Sequence, residues 1–198
     1  MSHYFQTPSG TEKRFTVPMR LLGHDVELES ARGVFSGDGL DAGTAVLLRT
    51  VEPPTGAVRV LDLGCGIGPI TVALGLASPE ARITAVDVNE RALALTASNA
   101  ARTSIADRVT VVHPDDVPAE LAFDQIWSNP PIRIGKAALH ALLEQWLPRL
   151  TPAGVAYLVV ARNLGADSLA VWIEQNGWGC SRLASAKGFR VLAVTRTV

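Results

Sequence analysis

Val58-Arg59-Val60-Leu61-Asp62-Leu63-Gly64-Cys65-Gly66-Ile67-Gly68-Pro69 changes periodicity part-way along its length. Val58–Leu63 reads as the mainly apolar strand of a sheet buried on both faces. Three alternate glycines then turn the chain, and Pro69–Ala77 continues as a helix, with Pro69 at its start, where a missing amide hydrogen costs little. A strand, a glycine turn and a helix in that order open a parallel sheet whose ligands bind at the carboxyl ends of its strands, where strand order reverses.

Downstream, strands and helices alternate. Strands are expected at Ile83–Val88, Val109–His113, Phe123–Ser128 and Val155–Ala161. Helices are expected at Glu90–Arg102, Lys136–Leu150 and Ala166–Gln175, the last ended by Asn176-Gly177 as a left-handed cap. Arg182–Ala186 and Phe189–Thr195 close the chain as a hairpin about Lys187-Gly188. The alternation predicts an α/β fold: a doubly wound, mainly parallel, seven-stranded sheet with a C-terminal antiparallel hairpin.

Upstream, Arg14–Val17 and Asp25–Leu28 alternate like half-buried strands around a turn at Gly23. Residues 33–39 are loop-like, Ala42–Thr50 reads as a short helix, and Val51–Gly56 is a break. The expectation is one domain over residues 1–198. Residues 1–50 form a short N-terminal β extension with a loop covering substrate and cofactor, and residues 51–198 form the cofactor-binding core.

Composition narrows the function. With 198 residues, 47% apolar and 19% charged, the chain can bury one good core. A net charge of −1 gives no global positive field, so any nucleic-acid surface must be a local patch. Two cysteines, Cys65 and Cys180, make no disulfide framework, and four histidines lack zinc-ligand spacing. Neither a metal nor a membrane span is expected, and a cytoplasmic setting is the default.

The glycine loop predicts a nucleoside-bearing cofactor. Gly64, Gly66 and Gly68 allow a tight turn and close approach of backbone to ligand. Asp87, at the end of the next strand, can accept the ribose hydroxyl protons, with Val88 beside it. Cys65 is a small side chain inside the turn. Pro69 stands just beyond the loop, where the dinucleotide fingerprint has a further glycine in its sixth place, and no Lys-Ser or Lys-Thr pair follows, so neither that fingerprint nor a phosphate-cradling loop fits. Asp62 would repel a phosphate but suits the ammonium of a methionine moiety. After the third strand, Asp115 is expected beside the glycine loop to take an adenine amino group, against the alternative of an ordinary acidic loop.

Asn129-Pro130-Pro131 ends the fourth strand, next to the first across the switch point. The Asn129 side-chain carbonyl and the Pro130 backbone carbonyl are two acceptors for one planar NH2. Together they would turn its nitrogen lone pair toward an electrophilic methyl group. In-line methyl transfer needs mainly that alignment.

Asn129-Pro130-Pro131-Ile132-Arg133-Ile134-Gly135-Lys136, with Gly33-Val34-Phe35-Ser36 and Asp41-Ala42-Gly43-Thr44 upstream, resembles the ribosomal RNA small-subunit methyltransferases that make N2-methylguanosine. The resemblance runs from about Tyr4 to Arg190. It implies a Rossmann-like class I methyltransferase using S-adenosyl-L-methionine and acting on a guanine amine of ribosomal RNA or the small subunit. It also implies catalytic roles for Asn129, Pro130 and Pro131. The chain has Ile132 where many amino-methyltransferases have an aromatic residue, which makes Phe35 the candidate stacking ring. Arg133 and Lys136 are the candidate phosphate contacts, with Arg162 and Lys187 further candidates. Two alternatives stay open: a protein glutamine-amide methyltransferase, which shares Asn-Pro-Pro, and a non-catalytic RNA-binding protein that keeps the fold.

Overall fold

The structure is a computed structural model that describes residues 14–32, 34, 39–130 and 135–197. Two strands, β1 (Arg14–Leu21) and β2 (His24–Ala31), form an antiparallel hairpin. Helix α1 (Ala42–Thr50) follows. The core then runs β3 (Arg59–Leu63), α2 (Pro69–Ala77), β4 (Arg82–Val86), α3 (Glu90–Arg102), β5 (Val109–Val112), β6 (Phe123–Ser128), α4 (Lys136–Trp146), β7 (Leu150–Ala161), α5 (Ala166–Gln175), β8 (Trp178–Ala186) and β9 (Phe189–Arg196).

The main sheet has seven strands in the order β5-β4-β3-β6-β7-β9-β8. The first five of these are parallel, and β9 runs antiparallel to both β7 and β8. Order reverses between β3 and β6, so the crevice at their carboxyl ends is the switch point that the glycine loop implied.

Side chains alternate across the central strands and split the core in two. Val60, Ile83, Trp127 and Val159 face one cluster with α1, α2 and α3. Leu61, Leu63, Ile126 and Leu158 face the other with α4 and α5. A two-stranded hairpin alone would be marginal. Here Val17, Met19, Leu21 and Leu28 are buried in the first cluster, and side chains of that size contribute about 1.5–3 kcal/mol each when fully buried.

Helix α1 belongs to the same packing. Its Gly43–Leu48 stretch is buried against α2, β7 and β9, so residue 50 is no boundary in the core.

Four helices begin and end where the sequence places them. Lys136–Leu150 is shorter, since α4 stops at Trp146 and Leu147–Arg149 tightens into a 3-10 turn around Pro148. Strand ends differ more. The second core strand stops at Val86, which leaves Asp87 and Val88 in the loop. The fifth and sixth start earlier than expected, at Leu150 and Trp178, because pairing with β6 and β9 continues over those residues.

Candidate functional site

Ser128 and Leu63 bring the two motifs together. The Ser128 hydroxyl, buried at the end of β6, donates to the Leu63 carbonyl at the end of β3, at 2.7 Å. Gly64 and Asn129 are the next residues on each strand, so the glycine loop and the Asn-Pro segment leave the sheet side by side.

The loop is held from below. Gly64 and Cys65 amides both donate to the Val86 carbonyl at 2.9 Å. Gly66 has φ +58°, and a Cβ built there meets nothing within 4 Å, so its outer side is open. Gly68 has φ +86° and opens α2, where a Cβ would press on Thr96 from 3.0 Å. That approach lets the Thr96 hydroxyl donate to the Gly66 carbonyl at 2.9 Å.

Asp87 clamps the same loop. Its Oδ2 accepts from the Gly66 amide at 3.0 Å and its Oδ1 from the Asn89 amide at 2.9 Å. Burial raises its carboxyl above the ordinary value, and the amides of Asn89 and Gly66 hold it back. With the Val88 amide as a third donor, the two oxygens together still keep acceptor capacity for a ligand hydroxyl. Val88 is 46% exposed beside it and offers an apolar contact to a flat ring.

Asp62 lies within β3 and is wholly buried. Strand alternation turns it toward α2. Its Oδ2 accepts from the Thr71 amide at 2.9 Å and the Thr71 hydroxyl at 2.6 Å. Among the described residues Oδ1 has no partner. Burial pushes this carboxyl up to about 7, against the lowering effect of Thr71. An orphaned carboxyl oxygen under an open glycine turn fits a cationic ligand group, which would favour its ionised form, better than a phosphate.

Cys65 is the small side chain inside the turn: it is 3% exposed and its thiol, raised well above the ordinary value by burial, faces Thr96, so only its backbone is left for a ligand. One expectation needs correction. Asp115 does not lie beside the glycine loop, because β4 stands between β5 and β3. It sits in the turn after β5, 84% exposed and 3.5 Å from His113, on the Asp87 side of the crevice.

Asn129 is half-buried, and its amide nitrogen is fully engaged. It donates to Asp41 Oδ1 at 2.6 Å and to Thr44 Oγ1 at 3.0 Å, the N-cap and the first turn of α1. A carboxylate only accepts, so the NH2 group must face Asp41 and the side-chain carbonyl is left to accept. Pro130 is buried next to it. Lys136 begins α4, and its Cε lies 3.7 Å from where a Cβ on Gly165 would stand, which sets it beside the loop after β7. Pro131, Ile132, Arg133 and Phe35 lie outside the described residues.

Asp41 and Thr44 entered the sequence reading only within the Asp41–Thr44 run that shares the family resemblance with the Asn129 run, and no site role was given to them; the contact across 88 positions is what the fold adds. Phe189 is a second omission. Its Cε1 and Asn129 Nδ2 lie 3.0 and 3.3 Å from the same empty Cβ position on Gly43.

Among the described residues no group of His, Cys, Asp and Glu is placed to hold a metal, and no helix is long and apolar enough to cross a membrane. The family described as methyltransferase small domain matches residues 25–193. A Bacillus subtilis (strain 168) protein, named as uncharacterized protein YbxB, is 32% identical over 193 residues, 96% of both chains. Ribosomal RNA small subunit methyltransferase C of Pseudomonas aeruginosa (strain LESB58) is 32% identical over 190 residues, 93% of this chain and 55% of that one. The T. thermophilus 16S rRNA N2 methyltransferase RsmC, solved in complex with AdoMet and guanosine, superposes with a TM-score of 0.82 at 24% identity, over 96% of this chain and 52% of that one. The chain thus spans about half the length of these two ribosomal RNA methyltransferases.

Proposed function

The chain belongs to the methyltransferase small domain family, and from that premise we propose that it methylates the exocyclic N2 of guanine in ribosomal RNA with S-adenosyl-L-methionine. The observation that carries this reading is the fixed amide of Asn129, whose nitrogen is taken up by Asp41 and Thr44 at the switch point. The named activities of the ribosomal RNA methyltransferase relatives agree with it.

S-adenosylmethionine supplies an electrophilic methyl group when bound. The residues fit it: Gly66 leaves open space, Asp87 keeps acceptor capacity, and Asp62 keeps a carboxyl oxygen without a partner. Asn129 Oδ1 and the Pro130 carbonyl each take one N–H of the target amine. That fixes the NH2 plane and opposes spread of the lone pair into the ring, so the nitrogen attacks in line. The product nitrogen then loses its extra proton to water or a neighbouring acceptor. No strong base is needed from the chain. Phe35 and Ile132 would contact the base, and Arg133 and Lys136 the phosphates around an extruded nucleotide.

The test is to incubate the protein with labelled cofactor, ribosomal subunits and total cell protein, and to digest each fraction. Label in N2-methylguanosine is the expected result. Label in glutamine would move the chain to the protein-amide branch, and label in another base would reject the guanine assignment.

A further inference from the structure

We propose that Asp41, with Thr44, is a positioning residue for methyl transfer: it orients the Asn129 amide so that the carbonyl oxygen, and not the NH2, meets the substrate amine. The proposal rests on the role given to Asn129 above.

The two ends of an asparagine amide are nearly identical in shape, so only hydrogen bonds distinguish the correct orientation from its flip. A flipped Asn129 would set donor against donor at the target nitrogen. Asp41 excludes that state because its carboxylate can only accept, and at 2.6 Å from Nδ2 the contact is short for a charge-assisted bond. Thr44 Oγ1 takes the second N–H at 3.0 Å.

Asp41 is itself held in place. It is the N-cap of α1, and the same Oδ1 accepts from the amides of Gly43 at 2.8 Å and Thr44 at 3.1 Å. Three N–H donors therefore converge on one oxygen, at a helix end whose dipole favours negative charge. Gly43 sets the spacing. A Cβ there would lie 3.0 Å from Asp41 Oδ1, 3.0 Å from the Phe189 ring and 3.3 Å from Asn129 Nδ2. Any side chain at Gly43 would push the cap and the amide apart.

Turnover is read as label transfer to ribosomal subunits, cofactor affinity by calorimetry, and folding by melting temperature. Asp41→Ala should lower kcat by roughly tenfold to a hundredfold, with cofactor affinity nearly unchanged. In an Asn129→Ala background the same change should cost less than about twofold, since a residue that acts through Asn129 has nothing left to position. Asp41→Asn keeps an oxygen where Oδ1 now accepts all three N–H groups, so it should restore the melting temperature and most of kcat, losing only the charge assistance. Thr44→Val leaves the cap intact and should cost several-fold in kcat, again only while Asn129 is present; it serves if Asp41→Ala does not fold. Additive losses in the double variants, or an unchanged kcat in Thr44→Val, would reduce Asp41 to a helix cap. A wild-type rate in Asn129→Ala would instead overturn the role of Asn129 itself, and this proposal with it.

Discussion

At Asp62 a carboxylate with no exposed surface shares one oxygen between the amide and hydroxyl of Thr71 and leaves the other unpaired. Its ordinary value is 3.8 and burial pushes it to about 7. Between those values the folded state holds a proton that the unfolded state has released, so stability falls as pH rises from about 4 to about 7, and the cost is complete above that. Asp62→Asn removes this titration. Wild type should lose ground to the variant over that window, by roughly 4 kcal/mol at most, as read from denaturant midpoints at pH 3 and pH 8. The variant should bind S-adenosylmethionine more weakly at either pH. Parallel pH curves for the two proteins would show that Asp62 does not titrate as stated. Asn129→Ala tests the other motif: losing one oriented acceptor in the transition state should raise the barrier by roughly 2–4 kcal/mol, about a hundredfold or more in rate. Both residues were legible in the sequence, Asp62 from its place before the glycines and Asn129 from its place after a strand. The bonds from Thr71 to Asp62 were not legible, because which groups of α2 meet the strand is set by packing and not by local sequence.

Helices were easier to delimit than strands because their ends carry local chemistry. Asp41 and Asn89 cap α1 and α3 by accepting from amides two or three residues on, and Pro69 opens α2. Strand ends depend on a neighbour elsewhere in the chain. Trp178 and Gly179 extend β8 because Arg196 and Thr195 lie opposite, and a Cβ on Gly179 would stand 2.7 Å from Thr195 Oγ1. The same dependence hid the joint between the hairpin and the glycine loop. Asn99, fully buried on α3, donates to the carbonyls of Glu29 at 3.0 Å and Ile67 at 2.9 Å, and accepts from the Glu29 amide at 2.7 Å. Asn99→Ala would leave the buried Ile67 carbonyl and the part-buried Glu29 groups unpaired, at about 1–3 kcal/mol each where no water replaces the partner. The expected result is a fall in unfolding free energy of that order, together with weaker cofactor binding, because Ile67 lies in the loop itself. Gly66→Val should separate the two effects. A branched side chain at φ +58° fills the open side of the turn, so cofactor affinity in calorimetry should collapse while the core keeps its packing.

For the molecule as a whole, a net charge of −1 means that attraction to a polyanion has to come from one region. The carboxyl-end rim is where cations collect: Lys136 at the start of α4, Arg162 after β7 and Lys187 in the turn before β9. Arg190 nearby is already paired with Asp167 at 2.8 Å. Lys136 stands out because the first residue of a helix is the wrong end for a positive charge, and α4 has neither an acidic residue in its first turn nor a side-chain cap. A phosphate bridging that lysine and the helix end would reverse the sign of the interaction, and a local rule broken without compensation is often a mark of function. Lys136→Ala should therefore make the free protein no less stable. It should weaken binding to ribosomal RNA and flatten the slope of log affinity against log salt by about 0.7–0.9, the loss of one released counterion. Cofactor affinity should not move. Binding titrations at several salt concentrations decide it: an unchanged slope would place Lys136 off the RNA path and leave the local attraction to Arg162 and Lys187, while a protein substrate would give little salt dependence with either lysine or alanine at that position.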